Sequence, residues 1–273
     1  MSTRLPIFQV DAFAQKAFEG NPAAVVPMDA WMPDETLQAI AAENNLSETA
    51  FIVACEGEDE HDYRLRWFTP TIEVDLCGHA TLAAAFVVLG QIRPELEHVR
   101  FTTRSGTLTV QLAASRLKMD FPAWPVTAPA HAPPALLEAL GGRGPPVACS
   151  SIPEMHGGPY FLLEYASALE VAALSPDFGK MDANVIATAP ADEHDDVDFV
   201  SRFFGPCAGI DEDPVTGSAH CTLAPYWAAR LGKATMDARQ VSARGGHLRV
   251  TVDGERVSIS GSCALVLKGT LML

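Results

Sequence analysis

Apolar residues in this chain come mostly in short runs closed by Gly, Pro, Asn or Asp, a pattern that predicts strands more often than helices. In the first half the strand-like runs lie at 5–10, 23–26, 51–53 and 63–68, and in the second at 160–163 and 184–187. Residues 108–110 with 117–121, and 248–252 with 257–260, read as hairpins, the second closed by the favoured Asp253-Gly254 turn. Three stretches read as helices. Residues 79–89 are apolar on nearly every side, so that helix runs buried through the middle of its half. A similar helix follows Ser218, where Pro225 should kink it or shift its start. The third opens at Pro33 and sets Leu37, Ile40 and Ala41 on one face, which suits the outside of a lobe.

The pattern also repeats. Arg66-Trp67-Phe68-Thr69-Pro70 answers to Arg202-Phe203-Phe204-Gly205-Pro206, the block 78–83 to 218–224, and 105–110 to 245–250. Thr81 lies 25 positions before Gly106, and Thr222 lies 24 before Gly246. The gap from arginine to threonine is 15 in one copy and 20 in the other, which puts inserted residues near 209–215. Two homologous halves follow, meeting in the Pro- and Ala-rich stretch 121–134. The expected units are 1–118, to which a strand at about 266–273 can return, and 119–265. The fold class is α+β, each lobe a set of strands and β-ribbons with a central helix, and two equivalent lobes create a cleft between them where a small-molecule site is expected.

Composition narrows the partners. Apolar residues make up 48% and charged residues 19%, as in a folded chain with a large core. The net charge of −15 repels nucleic acid and anionic membranes, so neither is an expected partner. Two acidic runs, 56–62 and 192–198, read as solvated loops. The longest apolar run, 80–89, is too short to cross a bilayer, and residues 1–15 do not have the succession of a signal peptide. Six scattered cysteines without a CxxC pair or zinc spacing point to a reducing cytoplasm and to no metal site.

An anionic substrate therefore needs strong local donors. The N-termini of the two central helices can supply them as backbone N–H groups, with Gly78 and Gly217 allowing close approach. Glu48 stands between a polar turn and an apolar strand, where lost hydration makes a carboxylate a usable proton shuttle, although capping the turn is the more ordinary task for a residue so placed. Asp213 precedes the second central helix, where it either complements the helix terminus or takes part in chemistry. His79 can pair with an anion or simply fill the first turn, and Ser218 can bind substrate or serve as an N-cap.

Together these residues resemble the phenazine-biosynthesis isomerase family, the PhzF-like proteins. The blocks that carry the resemblance are Phe8 to Phe13, Gly20-Asn21-Pro22-Ala23-Ala24-Val25, Asn45-Leu46-Ser47-Glu48-Thr49-Ala50-Phe51, Arg66 to Pro70, Glu73 to Thr81 and Asp211 to His220, all in family order. The resemblance implies a diaminopimelate epimerase-like fold and a cofactor-free isomerase that moves a proton on a small, carboxylate-bearing substrate, dihydro-hydroxyanthranilate in the phenazine enzyme. It implies Glu48 as acid/base, with Asp213 and His79 as the other catalytic groups and Ser47, Cys77, Gly78, Gly217 and Ser218 as substrate contacts. It also implies a homodimer. Related epimerases use two thiols; Cys77 matches the first, while Asp213 to Ser218 holds no thiol at the place of the second. A thiol-dependent epimerase using Cys77, and a binding protein that has lost catalysis, are the rival readings.

Overall fold

The computed structural model describes residues 3–55, 62–153 and 158–273. It divides into two compact units, 1–120 with 260–273, and 121–259. The first contains β1 (Arg4–Ala12), β2 (Asn21–Met28), α1 (Asp34–Asn44), β3 (Glu48–Ala54), β4 (Asp62–Phe68), β5 (Glu73–Val74), α2 (Gly78–Val87), β6 (His98–Thr103), β7 (Gly106–Ala113) and β8 (Arg116–Pro122). The second contains β9 (Ala128–Pro129), α3 (Pro134–Ala139), β10 (Ala148–Ser151), β11 (Tyr160–Glu164), α4 (Ala168–Ala172), β12 (Asn184–Pro190), β13 (Phe199–Gly205), β14 (Ile210–Asp213), α5 (Gly217–Leu231), β15 (Thr235–Gln240), β16 (Gly246–Asp253) and β17 (Arg256–Gly261). The last strand, β18 (Cys263–Met272), pairs antiparallel with β1 in the first unit.

Each unit uses the same order of pairings. In the first, β2 runs parallel to β3, β3 antiparallel to β4, and β4 parallel to β6. In the second, β11 runs parallel to β12, β12 antiparallel to β13, and β13 parallel to β15. Registers agree to the residue: Ala23 faces Glu48 and Thr49 faces Phe68, as Tyr160 faces Asn184 and Val185 faces Phe204. The charged clamps agree too. Arg66 grips Glu73 through Nε at 2.7 Å and Nη2 at 2.8 Å and lies over Phe68; Arg202 grips Glu212 at the same two distances and lies over Phe204. Phe68 pairs with Glu73 and Phe204 with Glu212, so the insertion of the second copy falls between Gly205 and Glu212, where a short 3₁₀ turn, Pro206–Ala208, bulges the strand.

The central helices are buried as their composition requires. From His79 to Val87 every residue of α2 except Phe86 is buried, and the helix packs on β1, β2 and β3. On the opposite face of the first sheet, α1 seats Leu37, Ile40 and Ala41 against Val26, Phe51 and Phe68. In the second unit α3 and α4 cover a separate core containing Leu136, Val171, Val185 and Phe204.

Several expectations need correction. The helix of 79–89 ends at Val87 and continues as a π turn, Val88–Ile92. The start of the second unit's helix is not shifted by Pro225; α5 runs from Gly217 with the proline inside it. The carbonyl that loses its intrahelical partner there, that of Cys221, accepts the N–H of Trp124 at 3.0 Å instead, so the rung removed by proline is replaced from outside the helix. Ser218 is not the N-cap of α5; that position belongs to Thr216. The helix starts align Gly78 with Gly217, hence His79 with Ser218, two positions away from the alignment of the Thr-Leu-Ala triplets. The acidic run 56–62 lies outside the described residues except for Asp62, which opens β4. The run 192–198 is turn-rich but not fully free: Asp195 pairs with Arg239 at 3.0 Å, and Asp198 holds Lys233 and the N–H of Asp237. No helix of the described residues is long and apolar enough to cross a membrane.

Candidate active site

Glu48 is the first residue of β3, His79 the second of α2, and their packing brings two buried ionisable side chains together. Glu48 Oε2 lies 2.9 Å from His79 Nε2. Close as it is, the contact is not a well-aimed hydrogen bond, and neither atom has another partner. Burial by itself disfavours an imidazolium at His79, but Cys77 and Glu48 more than offset that, and its pKa lies well above the ordinary histidine value. Glu48 is the partner that matters near neutral pH, because the Cys77 thiol is uncharged there: burial, and then the charge of Glu48, push it up to about 11.

Asn21 completes the group. Fully buried at the start of β2, it lies with Nδ2 3.2 Å from His79 Nδ1, and its Oδ1 accepts the Ser47 hydroxyl at 3.2 Å. Gly20 makes this placement possible. Its φ of +67° belongs to the left-handed region, and a Cβ there would stand 2.1 Å from the Ala12 carbonyl oxygen. Cys77 occupies the N-cap position of α2 without capping it, and its Sγ lies 3.5 Å from His79 Nδ1. Gly78 opens the helix, so the free N–H groups of its first turn stand beside this cluster.

Among the described residues, Glu48, Cys77 and His79 are close enough to suggest metal ligands. One ligand atom from each lies within 4.8 Å of the others. The imidazole turns Nε2 to the carboxylate and Nδ1 to the thiol, so the two contacts use different nitrogens of the ring.

In the second unit Asp213 ends β14 and accepts the Thr216 hydroxyl at 2.5 Å. Gln240, fully buried at the end of β15, ties this corner together: its Oε1 accepts Thr216 N–H at 2.9 Å, and its Nε2 donates to the Asp213 carbonyl at 2.7 Å. Gly217 and Ser218 open α5, and Ser218 is exposed. Ser218 lines a small cavity with Trp124, Ile152, Tyr160, Ile186 and Thr222. The Tyr160 hydroxyl is raised in pKa by burial and then by the charge of Asp213. His220 turns away from this chemistry. Its Nδ1 bonds the Thr216 carbonyl at 2.8 Å, its ring lies tilted beside Phe199, and burial holds its pKa down at about 4.

The expected residues thus fall into two groups, Ser47, Glu48, Cys77, Gly78 and His79 in the first unit and Asp213, Gly217 and Ser218 in the second. Asn21, Gln240 and Tyr160 were not expected. Only Asn21 had a sequence signal, its place between Gly20 and Pro22.

The chain is 52% identical over 273 residues to the uncharacterized isomerase PA2770 of Pseudomonas aeruginosa, covering 98% of this chain and 99% of that one. It superposes on the crystal structure of a PhzF-family phenazine biosynthesis protein of Enterococcus faecalis with a TM-score of 0.89 at 41% identity, covering all of both chains. A hydroxyproline epimerase of Agrobacterium vitis, at 12% identity and a TM-score of 0.59 over 99% of this chain and 93% of that one, shares the fold, which is α+β of the diaminopimelate epimerase-like class. Residues 10–269 match the family described as phenazine biosynthesis-like protein, PhzC-PhzF. By sequence, register and fold, the chain belongs to the phenazine biosynthesis-like family.

Proposed function

We propose that this protein is a cofactor-independent isomerase in which Glu48 takes a proton from one carbon of a small, carboxylate-bearing substrate and returns it to another. The observation that carries the reading is the buried Glu48 carboxylate, whose Oε2 touches His79 yet has no hydrogen bond of good geometry. Such an oxygen is poorly solvated and ready to accept a proton from a bound carbon acid. The positive charge favoured on His79 then offsets one of the two negative charges of substrate and Glu48, and the uncapped first turn of α2 at Gly78 offers N–H groups to the substrate carboxylate. The steps balance without an external reagent: the C–H proton moves to Glu48, the electron pair delocalises into the unsaturated substrate, and Glu48, whose proton exchanges with solvent before it is passed back, delivers a proton to a different carbon. Family resemblance supports parts for Ser47, Asp213, Gly217 and Ser218 in the same reaction, a dihydro-hydroxyanthranilate-like substrate, and a homodimer; the scattered cysteines support a cytoplasmic setting.

The test is proton exchange. Candidate cyclic unsaturated acids incubated in D₂O with the protein should gain deuterium at carbon, and Glu48→Gln should abolish the gain while still binding the acid. Exchange by Glu48→Gln near the wild-type rate would remove Glu48 from the mechanism.

A further inference from the structure

One carboxamide in the first unit spans two groups of the acid/base cluster. Asn21 Nδ2 faces His79 Nδ1, and Asn21 Oδ1 accepts from Ser47. Ser47 precedes Glu48 in the chain, and Glu48 touches the far nitrogen of His79, so four side chains close a ring through the 47–48 peptide bond.

The ring constrains protons. An amide NH₂ can only donate, so in this orientation His79 Nδ1 accepts and the neutral imidazole carries its hydrogen on Nε2, toward Glu48. The protonated thiol of Cys77 is a second donor beside Nδ1. An imidazolium carries hydrogen on both nitrogens, and its Nδ1–H would then meet the NH₂ of Asn21 head-on. A half-turn of the amide resolves this without backbone movement, since its oxygen and nitrogen ends are nearly equal in size. Oδ1 then accepts from Nδ1–H, and Nδ2 donates to Ser47 Oγ.

The consequence falls on Ser47. While the ring is neutral, the serine hydrogen is committed to Asn21 and the hydroxyl offers a substrate only lone pairs. Once the ring is charged, the hydroxyl accepts from Asn21 and its hydrogen is free to bond a substrate oxygen. We propose that Asn21 is a positioning residue whose amide turns over with the charge of His79, and so sets whether Ser47 meets a substrate oxygen as donor or as acceptor. The state that best tolerates an anion beside Glu48 is then also the state in which Ser47 can donate to it. The functional meaning rests on the proton-shuttle reading of Glu48, but the ring of four side chains does not.

Other titratable groups on the elements packed against α2 are Arg4 and Asp11 on β1 and Cys263 and Lys268 on β18; β2 has none, and β3 has only Glu48. Of all these groups, Glu48 and Cys77 are the ones in contact with the ring.

Nitrogen NMR on the intact, histidine- and asparagine-labelled protein tests this, with His79 assigned by comparison with His79→Gln. Between pH 6 and 10, neutral His79 should be the Nε2–H tautomer, with a coupling across the hydrogen bond from Asn21 Nδ2–H to His79 Nδ1. That coupling should vanish below the transition. In Asn21→Asp the carboxylate accepts Nδ1–H throughout, and the transition should move up by at least one pH unit, a tenfold change in proton affinity. A neutral Nδ1–H tautomer in the wild type, or a coupling that persists across the transition, overturns the proposal whether or not Asn21→Asp folds; an unmoved transition in a folded Asn21→Asp does the same. Because no turnover is read, this result stands apart from deuterium exchange: Glu48→Gln can lose exchange while the amide proves static, or the reverse.

Discussion

Glu48 and Asn184 hold the same position in the two units, each the first residue of the strand that runs parallel to the preceding one and antiparallel to the arginine-bearing strand. His79 and Ser218 correspond in the same way, each at the second position of a central helix. The ionisable pair of one unit is thus matched by an amide and a hydroxyl in the other. Asn184 is fully buried, and its Oδ1 accepts the Cys207 N–H at 3.1 Å. Asn184→Asp should place a carboxyl where its charged form is disfavoured, raising its folded pKa. Relative to wild type, stability should be near normal at pH 4 and lower by about 1–3 kcal/mol at pH 8. Denaturant melts at the two pH values read this directly; a variant equally stable relative to wild type at both would show that the site accommodates charge.

Cys77 should behave as a buried, protonated thiol. With its pKa near 11, few molecules carry the thiolate at pH 7, and alkylation by iodoacetamide should be far slower than for a free cysteine. Cys77→Ala should keep deuterium exchange within a few-fold of wild type. An inactive but folded Cys77→Ala protein would revive the thiol-dependent reading.

Gly20 has no tolerated replacement. Gly20→Ala meets the Ala12 carbonyl oxygen as well as an unfavourable φ, so a loss of more than about 2 kcal/mol in stability is expected. Any folded fraction should show a disturbed Asn21, visible as altered side-chain amide resonances. A variant with wild-type stability would mean that the 12–20 loop relaxes freely.

Acid should weaken the second unit through His220. Its folded pKa, about 4, is below the unfolded value of 6.5. Between these values the unfolded chain binds a proton that the folded chain does not, so stability falls as pH drops through this window, by up to about 3 kcal/mol. His220→Phe should flatten that slope, as measured by chemical denaturation at pH 7, 5.5 and 4. Equal slopes in both proteins would assign the acid sensitivity to other groups.

Much of this architecture can be read from the chain. The buried character of α2 and α5 follows from residues apolar on nearly every side, and the β7–β8 hairpin from its alternating pattern. What escapes sequence reasoning is short or relational. Strands β5 and β14 have two and four residues, too few for a period, and exist because Arg66 and Arg202 pull glutamates onto the neighbouring strand. The offset of the helix starts is hidden because the Thr-Leu-Ala triplets match at a different spacing from the glycines. For the site, Glu48 and His79 each stand out by local context, but their contact depends on α2 packing against β3. Asn21, Gln240 and Asn184 are single polar residues whose partners come from distant strands and turns, and composition carries no trace of such pairings.

The bond from Trp124 to the Cys221 carbonyl, below Pro225, has a kinetic consequence. The connector that opens the second unit holds a rung of that unit's main helix, so the helix cannot stay fully bonded if the connector peels away. Peeling and helix fraying are thus one cooperative event, and the Trp124 amide should exchange its hydrogen as slowly as the amides in the middle of α5, unlike those of an ordinary surface linker.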